Sequence, residues 1–244
     1  MANLTVNGIV CRYTNYREND RILTLFTREQ GRIDVASRGC RKPKSPLLAA
    51  SEPFVFAEYT LFKNKDRYSV DQAEVQEAFY PLRSDIDRFS AGMILLPFAA
   101  SAEPGEPNEE LFSLLYHALT FLAYGEVPPE DMVFTFLLRY LDLYGYRPAI
   151  VRCAKCGADL RALPSIGFSP YAGGALCSRC MQGKPVQKLT LEAMRRILQL
   201  NNNEMEKVRL PHKVRLELRE LLYPYAEHVL ERKIKQFVPI EENL

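Results

Sequence analysis

Short alternating runs of apolar and polar residues fill the first eighty or so positions of the chain. Segments rich in Val, Ile, Thr, Phe and Tyr recur five times, at Leu4–Tyr13, Arg21–Arg28, Arg32–Ser37, Pro53–Phe62 and Tyr68–Phe79. Polar or glycine-containing clusters separate them, and Arg28-Glu29-Gln30-Gly31 fits a short hairpin connection. Five short strands predict a small antiparallel barrel. The OB-fold is the commonest such barrel that handles single strands, and the strand count alone is also compatible with an SH3-like barrel.

After Pro81 the apolar residues change to helical spacing. Helix starts are predicted at Ser84-Asp85-Ile86-Asp87, which resembles a capping box, at Asn108-Glu109-Glu110, and at Pro128-Pro129-Glu130-Asp131. Thr190 is predicted to cap a fourth helix that ends near Leu200, and a long amphipathic helix from about His212 to Gln236 closes the chain. Pro224 marks a candidate bend in that last helix.

This order of elements predicts an α+β fold in which an N-terminal OB-fold β-barrel is followed by an all-α helical domain with an inserted four-cysteine module. The predicted boundaries are 1–80 for a nucleic-acid-binding OB-fold domain, 81–149 for the first part of the helical domain, 150–185 for the cysteine module and 186–244 for the C-terminal helical part.

Four cysteines have the spacing of a tetrahedral metal site. They form two C-x-x-C pairs, Cys153/Cys156 and Cys177/Cys180, with twenty residues between the pairs. This spacing favours structural Zn²⁺, because four thiolates fill all four positions and leave none for water or substrate. An iron–sulfur centre is the main alternative. Cys11 and Cys40 stand alone and are predicted to be core or loop residues.

The chain has 244 residues and a formal charge of only +2, but the charge is unevenly distributed. Residues 1–80 carry 12 Lys/Arg and 10 Asp/Glu, residues 81–150 carry 4 and 10, and residues 151–244 carry 16 and 10. Two basic ends therefore flank an acidic middle, which favours a polyanionic partner. The first residues lack the pattern of a signal peptide, and the longest apolar stretch, Ala91 to Ala102, is too short to span a bilayer. We therefore expect a cytoplasmic protein with no membrane partner.

Motifs for catalysis are missing from the sequence. It contains no P-loop and no G-x-S-x-G elbow, and none of its three histidines has zinc-hydrolase or deaminase spacing. The acidic pairs Asp85/Asp87 and Glu130/Asp131 lie in first helical turns, where the helix dipole explains them. We expect no small-molecule substrate and no enzymatic activity.

Two basic clusters are candidate nucleic-acid contacts. The first follows the predicted β-hairpin and comprises Arg32, Arg38, Arg41, Lys42 and Lys44. Much of it lies in a segment, 38–46, whose two prolines and glycine predict an exposed, mobile loop of the kind that holds phosphates. The second cluster contains Arg195 and Arg196, with Lys207, Arg209 and Lys213 beyond them. That surface could instead take an acidic peptide tail. Tyr13, Tyr16 and Tyr68 could stack on bases, although core or rim packing is the favoured role of each.

Two stretches of sequence resemble the RecO recombination-mediator family. In the first 45 residues the similar segments are 16–27, Gly31-Arg32 and Ala36-Ser37-Arg38-Gly39, followed by a basic loop and Ser45. Further on, Leu143-Tyr144-Gly145-Tyr146-Arg147-Pro148, Cys153-x-x-Cys156-Gly157 and Gly173-Gly174-Ala175-Leu176-Cys177-x-x-Cys180 are similar to the zinc-bearing form of that family.

The resemblance implies a protein that binds single- and double-stranded DNA, anneals complementary strands and works with RecR. With RecR, it would help to load the recombinase onto DNA coated by the single-stranded-DNA-binding protein, whose C-terminal tail docks on the helical part. The family's barrel contacts would fall on Arg32, Arg38, Arg41 and Lys42, whereas Asp34 stands where a basic residue would widen the patch. A nucleoid-associated location follows from the same resemblance.

Two other functions fit parts of the sequence. An RNA-binding zinc-ribbon protein of transcription or translation would share the cysteines and the basic clusters. A metal-dependent nuclease would need clustered carboxylates for Mg²⁺, which the sequence does not display.

Overall fold

A closed five-stranded barrel forms the N-terminal part of the chain. The computed structural model describes residues 2–65, 67–181 and 185–239. The barrel order is β1-β2-β3-β5-β4. The strands are β1 (Ala2–Tyr16), β2 (Asp20–Thr27), β3 (Gly31–Ser37), β4 (Phe56–Asn64) and β5 (Arg67–Glu77). All neighbouring pairs are antiparallel except β3 and β5, which pair in parallel where the barrel closes. The prediction of an OB-like barrel is confirmed.

Alternation along the strands decides which side chains fill the barrel. On β3, Ile33 and Val35 point inward and are buried, whereas Asp34 between them is exposed. The period of two along a strand makes this pattern unavoidable once one face is apolar. The predicted β2–β3 turn is confirmed at Gly31, whose φ of 57° suits glycine. A Cβ on Gly31 would lie 2.1 Å from the carbonyl oxygen of Glu106, so the turn also requires glycine for space.

Two helices follow the barrel in the same compact unit, which spans residues 1–124. They are α1 (Ile86–Ala100) and α2 (Glu109–Tyr124). Both predicted helix starts are found. Asp85 caps α1, where a capping box would use Ser84, and its carboxylate accepts a hydrogen bond from the Arg88 amide. The Asn108 side chain accepts one from the Leu111 amide at the start of α2, as predicted. These bonds satisfy amides that would otherwise have no partner in the first turn.

The second compact unit spans residues 125–244. Its elements are α3 (Pro129–Leu143), β6 (Ile166–Ser169), β7 (Gly174–Cys177), α4 (Lys188–Gln199) and α5 (His212–Leu230). The apolar face of α3, with Phe134, Leu137 and Leu138, is buried as its helical spacing predicts. β6 and β7 form an antiparallel hairpin that carries Cys177 at its end.

Two helix boundaries differ from the prediction. The cap of α4 is Gln187, so the proposal that Thr190 caps this helix is wrong. Thr190 instead lies inside the helix and is fully buried. The last helix ends at Leu230, six residues before the predicted Gln236, because Glu231 adopts a left-handed conformation with φ of 52°.

The contact pattern divides the chain between Tyr124 and Gly125, within the segment that the sequence assigned to one helical domain. The predicted domain boundaries stay a prediction, and the end of the predicted 150–185 module reaches residues 182–184, outside the described part. Among the residues that the structure describes, no helix has both the length and the apolar character needed to cross a membrane.

Candidate metal centre and nucleic-acid interface

The four predicted metal ligands lie together in the second unit. The sulfur atoms of Cys153, Cys156, Cys177 and Cys180 all lie within 4.8 Å of one another. The Cys156 and Cys177 sulfurs are 3.7 Å apart. Four sulfurs bound tetrahedrally to one ion at about 2.3 Å would stand roughly 3.8 Å from each other. The cluster could therefore hold a metal ion.

Each cysteine pair folds as a tight knuckle. The amide of Gly157 donates to the Cys153 carbonyl at 2.9 Å, and the amide of Cys180 donates to the Cys177 carbonyl at 2.9 Å. Gly157 has φ of 73°, a left-handed conformation that lets the chain turn directly after the first pair. The β6–β7 hairpin brings the second knuckle back against the first.

The electrostatics of the cluster favour the thiolate of Cys153 and disfavour that of Cys180. Burial alone would raise the pKa of Cys153, but the amides of Cys177, Cys156 and Lys155 donate to its sulfur, and the pKa falls to about 6. Contacts with the Cys177 and Cys156 sulfurs raise the pKa of Cys180 to about 12. All four thiols can therefore be deprotonated together only when a bound cation offsets the repulsion between the thiolates. This donor set fits a thiophilic metal ion.

The barrel carries a groove of about 680 Å³ on the outer face of β2 and β3. This is the face that OB-folds use for oligonucleotides, between the β1–β2 and β4–β5 loops. The groove is lined by Tyr16, Arg17, Asp20, Ile22, Asp34, Val35, Ala36, Arg38, Phe62, Asn64, Arg67, Tyr68 and Ser69. Aromatic rings and cations thus share one concave surface, as base stacking and phosphate contact require.

Two cation–aromatic pairs hold the rings at the edges of this groove. The Arg17 guanidinium lies 5.2 Å from the Tyr16 ring centroid, and the Lys63 ammonium lies 5.3 Å from that of Tyr68. In the described part of the chain, Arg38 and Arg67 form no ion pair. Their charge is therefore available to a ligand.

The two acidic residues of the groove are already hydrogen-bonded within the protein. The Asp20 carboxylate accepts the Gly39 amide at 2.8 Å, and the Asp34 carboxylate accepts the Thr24 hydroxyl at 2.5 Å. These bonds reduce the repulsion that the carboxylates would exert on a phosphate.

The basic loop after β3 is anchored rather than free. Its cations, Arg38, Arg41, Lys42 and Lys44, are exposed as predicted. Arg41 donates from its guanidinium to the Glu18 carbonyl and from its amide to the Asn19 carbonyl, which fixes the loop beside the β1–β2 turn. The buried side chains of Cys40 and Leu47 secure the loop further. The structure therefore brings these four cations to the end of the barrel where Arg38 lines the groove.

Arg32 is not brought together with the other predicted contacts. It lies at the opposite end of β3 from Arg38, about 20 Å along the strand. Its carbonyl accepts the Gly105 amide, and its Nε is buried without a hydrogen-bond partner. The backbone of Arg32 therefore contacts the loop between α1 and α2, and Arg32 does not line the groove.

The second basic cluster also divides between two surfaces. Arg195 donates to the Ile150 carbonyl at 2.7 Å and pairs with Glu192. Arg196 is exposed and points away from Arg195, because adjacent residues of a helix are about 100° apart around its axis. The two arginines line different grooves.

The groove that contains Arg196 is apolar with a basic rim. Its volume is about 470 Å³. It is lined by Leu189, Glu192, Ala193, Arg196, Ile197, Leu200, Lys207, Val208, Arg209, Leu210 and Pro211. Such a surface suits a short peptide with acidic and apolar residues. We call it the α4 groove.

Sequence reasoning missed Arg17 and Arg67 as candidate contacts. Both lie beside the loops that bound the groove, Arg17 directly after β1 and Arg67 at the start of β5. The signal that could have found both is their position in the predicted OB topology, and Arg67 also ends a short basic run with Lys63 and Lys65.

Two family models match the chain. One, described as "Recombination protein O N terminal", matches residues 1–79, and the other, "Recombination protein O C terminal", matches residues 83–236. Together they cover the barrel and nearly all of the second unit.

Curated relatives named "DNA repair protein RecO" are similar over most of the chain. The relative from Desulforamulus reducens is 31% identical over 235 residues, which is 94% of this chain and 91% of the relative. The one from Desulfitobacterium hafniense is 32% identical over 239 residues, covering 95% and 86%. The one from Acetivibrio thermocellus is 35% identical over 184 residues, covering 75% and 72%.

Proposed function

This chain belongs to the recombination protein O (RecO) family, and from that premise we propose that it acts in DNA repair by binding single- and double-stranded DNA and annealing complementary strands. The observation that carries the proposal is the barrel groove, in which Tyr16 and Tyr68 stand beside Arg38 and Arg67, two cations that form no ion pair with the described residues. Base stacking on such rings contributes about 1–3 kcal/mol per base and tolerates any sequence.

The anchored basic loop extends this surface to the phosphate backbone. Arg38, Arg41, Lys42 and Lys44 can contact phosphates of one strand or of a duplex without reading bases. Arg32 has the weakest geometric support among the proposed contacts because it lies outside the groove.

Annealing needs no catalytic group. Two strands repel each other through their phosphates, and a protein that neutralises both removes the repulsion that slows their meeting. We therefore propose a mediator rather than an enzyme.

The four cysteines are proposed to hold Zn²⁺ in a structural role. The sulfur spacing suits one tetrahedral ion, whereas the thiolates of an iron–sulfur cluster bind separate iron atoms and stand farther apart. When bound, the ion would cross-link the two knuckles. Cys153 and Cys177, which are buried, would fix it to the β6–β7 hairpin and the segment before it.

Partners follow from the family and from one surface of the second unit. We propose that the protein works with RecR to load the recombinase onto DNA coated by the single-stranded-DNA-binding protein, in the cytoplasm at the nucleoid. The α4 groove supports docking of that protein's acidic C-terminal tail, since Arg196 lies at the rim of an apolar surface.

The barrel site is tested with the variant Arg38→Glu/Arg67→Glu. We expect weaker single-stranded DNA binding and a salt-dependence slope that falls by roughly 1.4, since each lost phosphate contact removes about 0.7. Fluorescence anisotropy at several salt concentrations measures both. Arg28→Glu is the control, because Arg28 is an exposed arginine next to β2 that does not line the groove. Its contacts include an ion pair with exposed Glu109 and a cation–π contact with Phe112.

An unchanged slope in the double variant, with wild-type folding, would remove the barrel groove as the DNA site. The same titration with RNA of identical sequence tests the rival RNA-binding function. Preference for RNA would favour that rival.

A further inference from the structure

The second unit carries another groove rich in arginine. It has a volume of about 390 Å³ and lies between α4 and the segment 147–152, which leads into the first cysteine knuckle. Its lining residues are Arg147, Pro148, Ala149, Ile150, Val151, Arg152, Arg195, Leu198 and Gln199. Three of these are arginines and none is acidic. We call it the arginine groove.

We propose that the arginine groove binds the phosphate backbone of a second nucleic-acid strand, separate from the strand held by the barrel. The proposal rests on the proposed function, because it assigns the second strand of the annealing reaction to a site.

Acidic residues beside the groove offset part of its positive charge, because Asp142 pairs with Arg147 and Glu192 pairs with Arg195. Arg147 donates hydrogen bonds from Nε and one terminal nitrogen to the Asp142 carboxylate, at 2.5 and 2.6 Å. Asp142 lies in the last turn of α3. The other terminal nitrogen of Arg147 makes no hydrogen bond to the described residues.

Arg152 is exposed and forms no ion pair with the residues that the structure describes. The Asp159 carboxylate is hydrogen-bonded to Arg161 at 2.5 to 3.0 Å, and these bonds, together with the charge of Arg152, lower its pKa.

Arg195 shapes the floor of the groove. It donates to the Ile150 carbonyl, and its Nε is buried without a hydrogen-bond partner. A buried guanidinium nitrogen without an acceptor is unfavourable, and an anion in the groove would improve its electrostatic environment. We therefore assign Arg195 a positioning role, holding the 147–152 segment against α4.

The shape and chemistry of the groove favour nucleic acid over a peptide. Arginine forks match phosphate oxygens in two-point contacts, and the apolar wall formed by Pro148, Val151 and Leu198 offers a surface for sugars and bases. Arg147 and Arg152 are five residues apart in the chain, so their Cα atoms are at most about 18 Å apart, a separation that allows both to reach phosphates of one strand. The α4 groove, by contrast, includes an acidic residue and a larger apolar surface.

The test uses the full-length variant Arg147→Gln/Arg152→Gln. Both side chains are exposed, so the fold should persist, and an unchanged metal content checks this. The control is Lys188→Gln/Lys235→Gln, which removes the same charge from exposed positions of the second unit that do not line the groove.

We expect the groove variant to keep single-strand binding through the barrel but to anneal complementary oligonucleotides roughly tenfold more slowly, with a salt slope for annealing lower by about 1.4. The control should anneal like the wild type. Wild-type annealing and slope in the groove variant would overturn the inference while leaving the proposed function intact.

Two further outcomes also decide the matter. If the groove variant loses binding of an acidic peptide and anneals normally, the groove takes protein and the inference is wrong. If the wild-type protein binds no DNA, the proposed function itself fails, and this result differs from the failure of the groove alone.

Discussion

Two buried carboxylates at the start of α3 do more than interact favourably with the helix dipole, because they also form tertiary ion pairs. Asp131 is fully buried and Glu130 nearly so. Asp131 accepts two hydrogen bonds from Arg215, at 2.6 and 3.0 Å, and one from the Leu210 amide at 2.9 Å. Glu130 pairs with Arg219 on the same side of α5. These bonds fix α5 to α3.

Asp131→Asn should therefore destabilise the protein by roughly 3–5 kcal/mol, because it leaves Arg215 partly buried without its counter-charge. Urea denaturation followed by circular dichroism measures the change. The control is Glu204→Gln, which removes a solvent-screened surface pair with Lys207 and should change stability much less than Asp131→Asn does. Equal effects of the two substitutions would show that the buried pair is not a major tie.

The metal centre makes a second prediction at the scale of single residues. Cys153→Ser should abolish metal binding and lower the melting temperature, since three thiolates no longer close the site. Each kcal/mol lost lowers Tm by roughly 2–4 °C in domains of 150–250 residues.

Metal content by mass spectrometry and a thermal melt measure the two effects. Cys11→Ser is the control for metal content: burial raises the pKa of Cys11 to about 12, so it is a neutral thiol, and it lies in the barrel. Retained metal and an unchanged melt in Cys153→Ser would show that the cluster is not the metal site.

At the scale of elements, local signals predict the strands and the helix starts, because side-chain spacing and capping act over a few residues. Asp85 and Asn108 cap α1 and α2 as their sequences indicate. The cysteine cluster is predictable for the same reason, since two C-x-x-C pairs specify knuckles locally.

Boundaries set by distant residues are not predictable in this way. The Gln187 amide at the start of α4 donates to the Glu217 carboxylate of α5, 30 residues away, so the helix starts before Thr190. Beyond α5, Ile234 and Phe237 keep a helical spacing but are buried in a non-helical segment. The Phe237 amide donates to the Tyr223 hydroxyl, and this tertiary bond replaces the helix that the pattern suggested.

The candidate DNA surface was predictable only in part. The basic loop stands out in the sequence because its cations are contiguous. Arg17 and Arg67 are 50 residues apart in the chain. They line the same groove only because the strands close into a barrel, in which β5 lies beside β3. Arg32 lies at the other end of β3 and outside the groove. Its closeness in sequence to the basic loop could not indicate this separation.

Docking of an acidic peptide in the α4 groove can be tested by reversing the charge at its rim. Arg196→Glu should weaken binding of a synthetic acidic peptide with an apolar C-terminus by about tenfold or more, because it reverses charge at the rim. Fluorescence anisotropy of the labelled peptide measures this. Lys188→Glu on the same helix is exposed, does not line the groove and should change binding much less. Equal loss in both variants would indicate general charge attraction instead of a docking site.

At the scale of the whole molecule, net charge is a poor guide to DNA binding. Residues 1–124 carry 14 Lys/Arg and 16 Asp/Glu, whereas residues 125–244 carry 18 and 14. The barrel unit is thus slightly acidic overall, although its groove and basic loop display cations such as Arg38 that form no ion pair with the described residues. Local patches, rather than the total of +2, determine what a polyanion meets.

The two proposed strand-binding grooves, if both operate on one chain, imply that the annealing rate depends on protein concentration in a way that one groove would not produce. At low protein concentration, one chain can hold two complementary strands, and the second pairing becomes effectively intramolecular. At high concentration each strand occupies separate chains, so fewer chains hold both. We therefore expect the annealing rate to rise, pass through a maximum near one protein per strand pair, and then fall.

Fluorescence quenching between labelled complementary oligonucleotides measures this rate across a protein titration. Arg147→Gln/Arg152→Gln should reduce the maximum, because its chains hold one strand at the barrel. A wild-type rate that rises to a plateau, with no decline at excess protein, would contradict the two-groove arrangement. A decline caused by separate occupancy should also be reversed by adding more of both labelled strands in equal amounts, whereas a decline caused by aggregation should not.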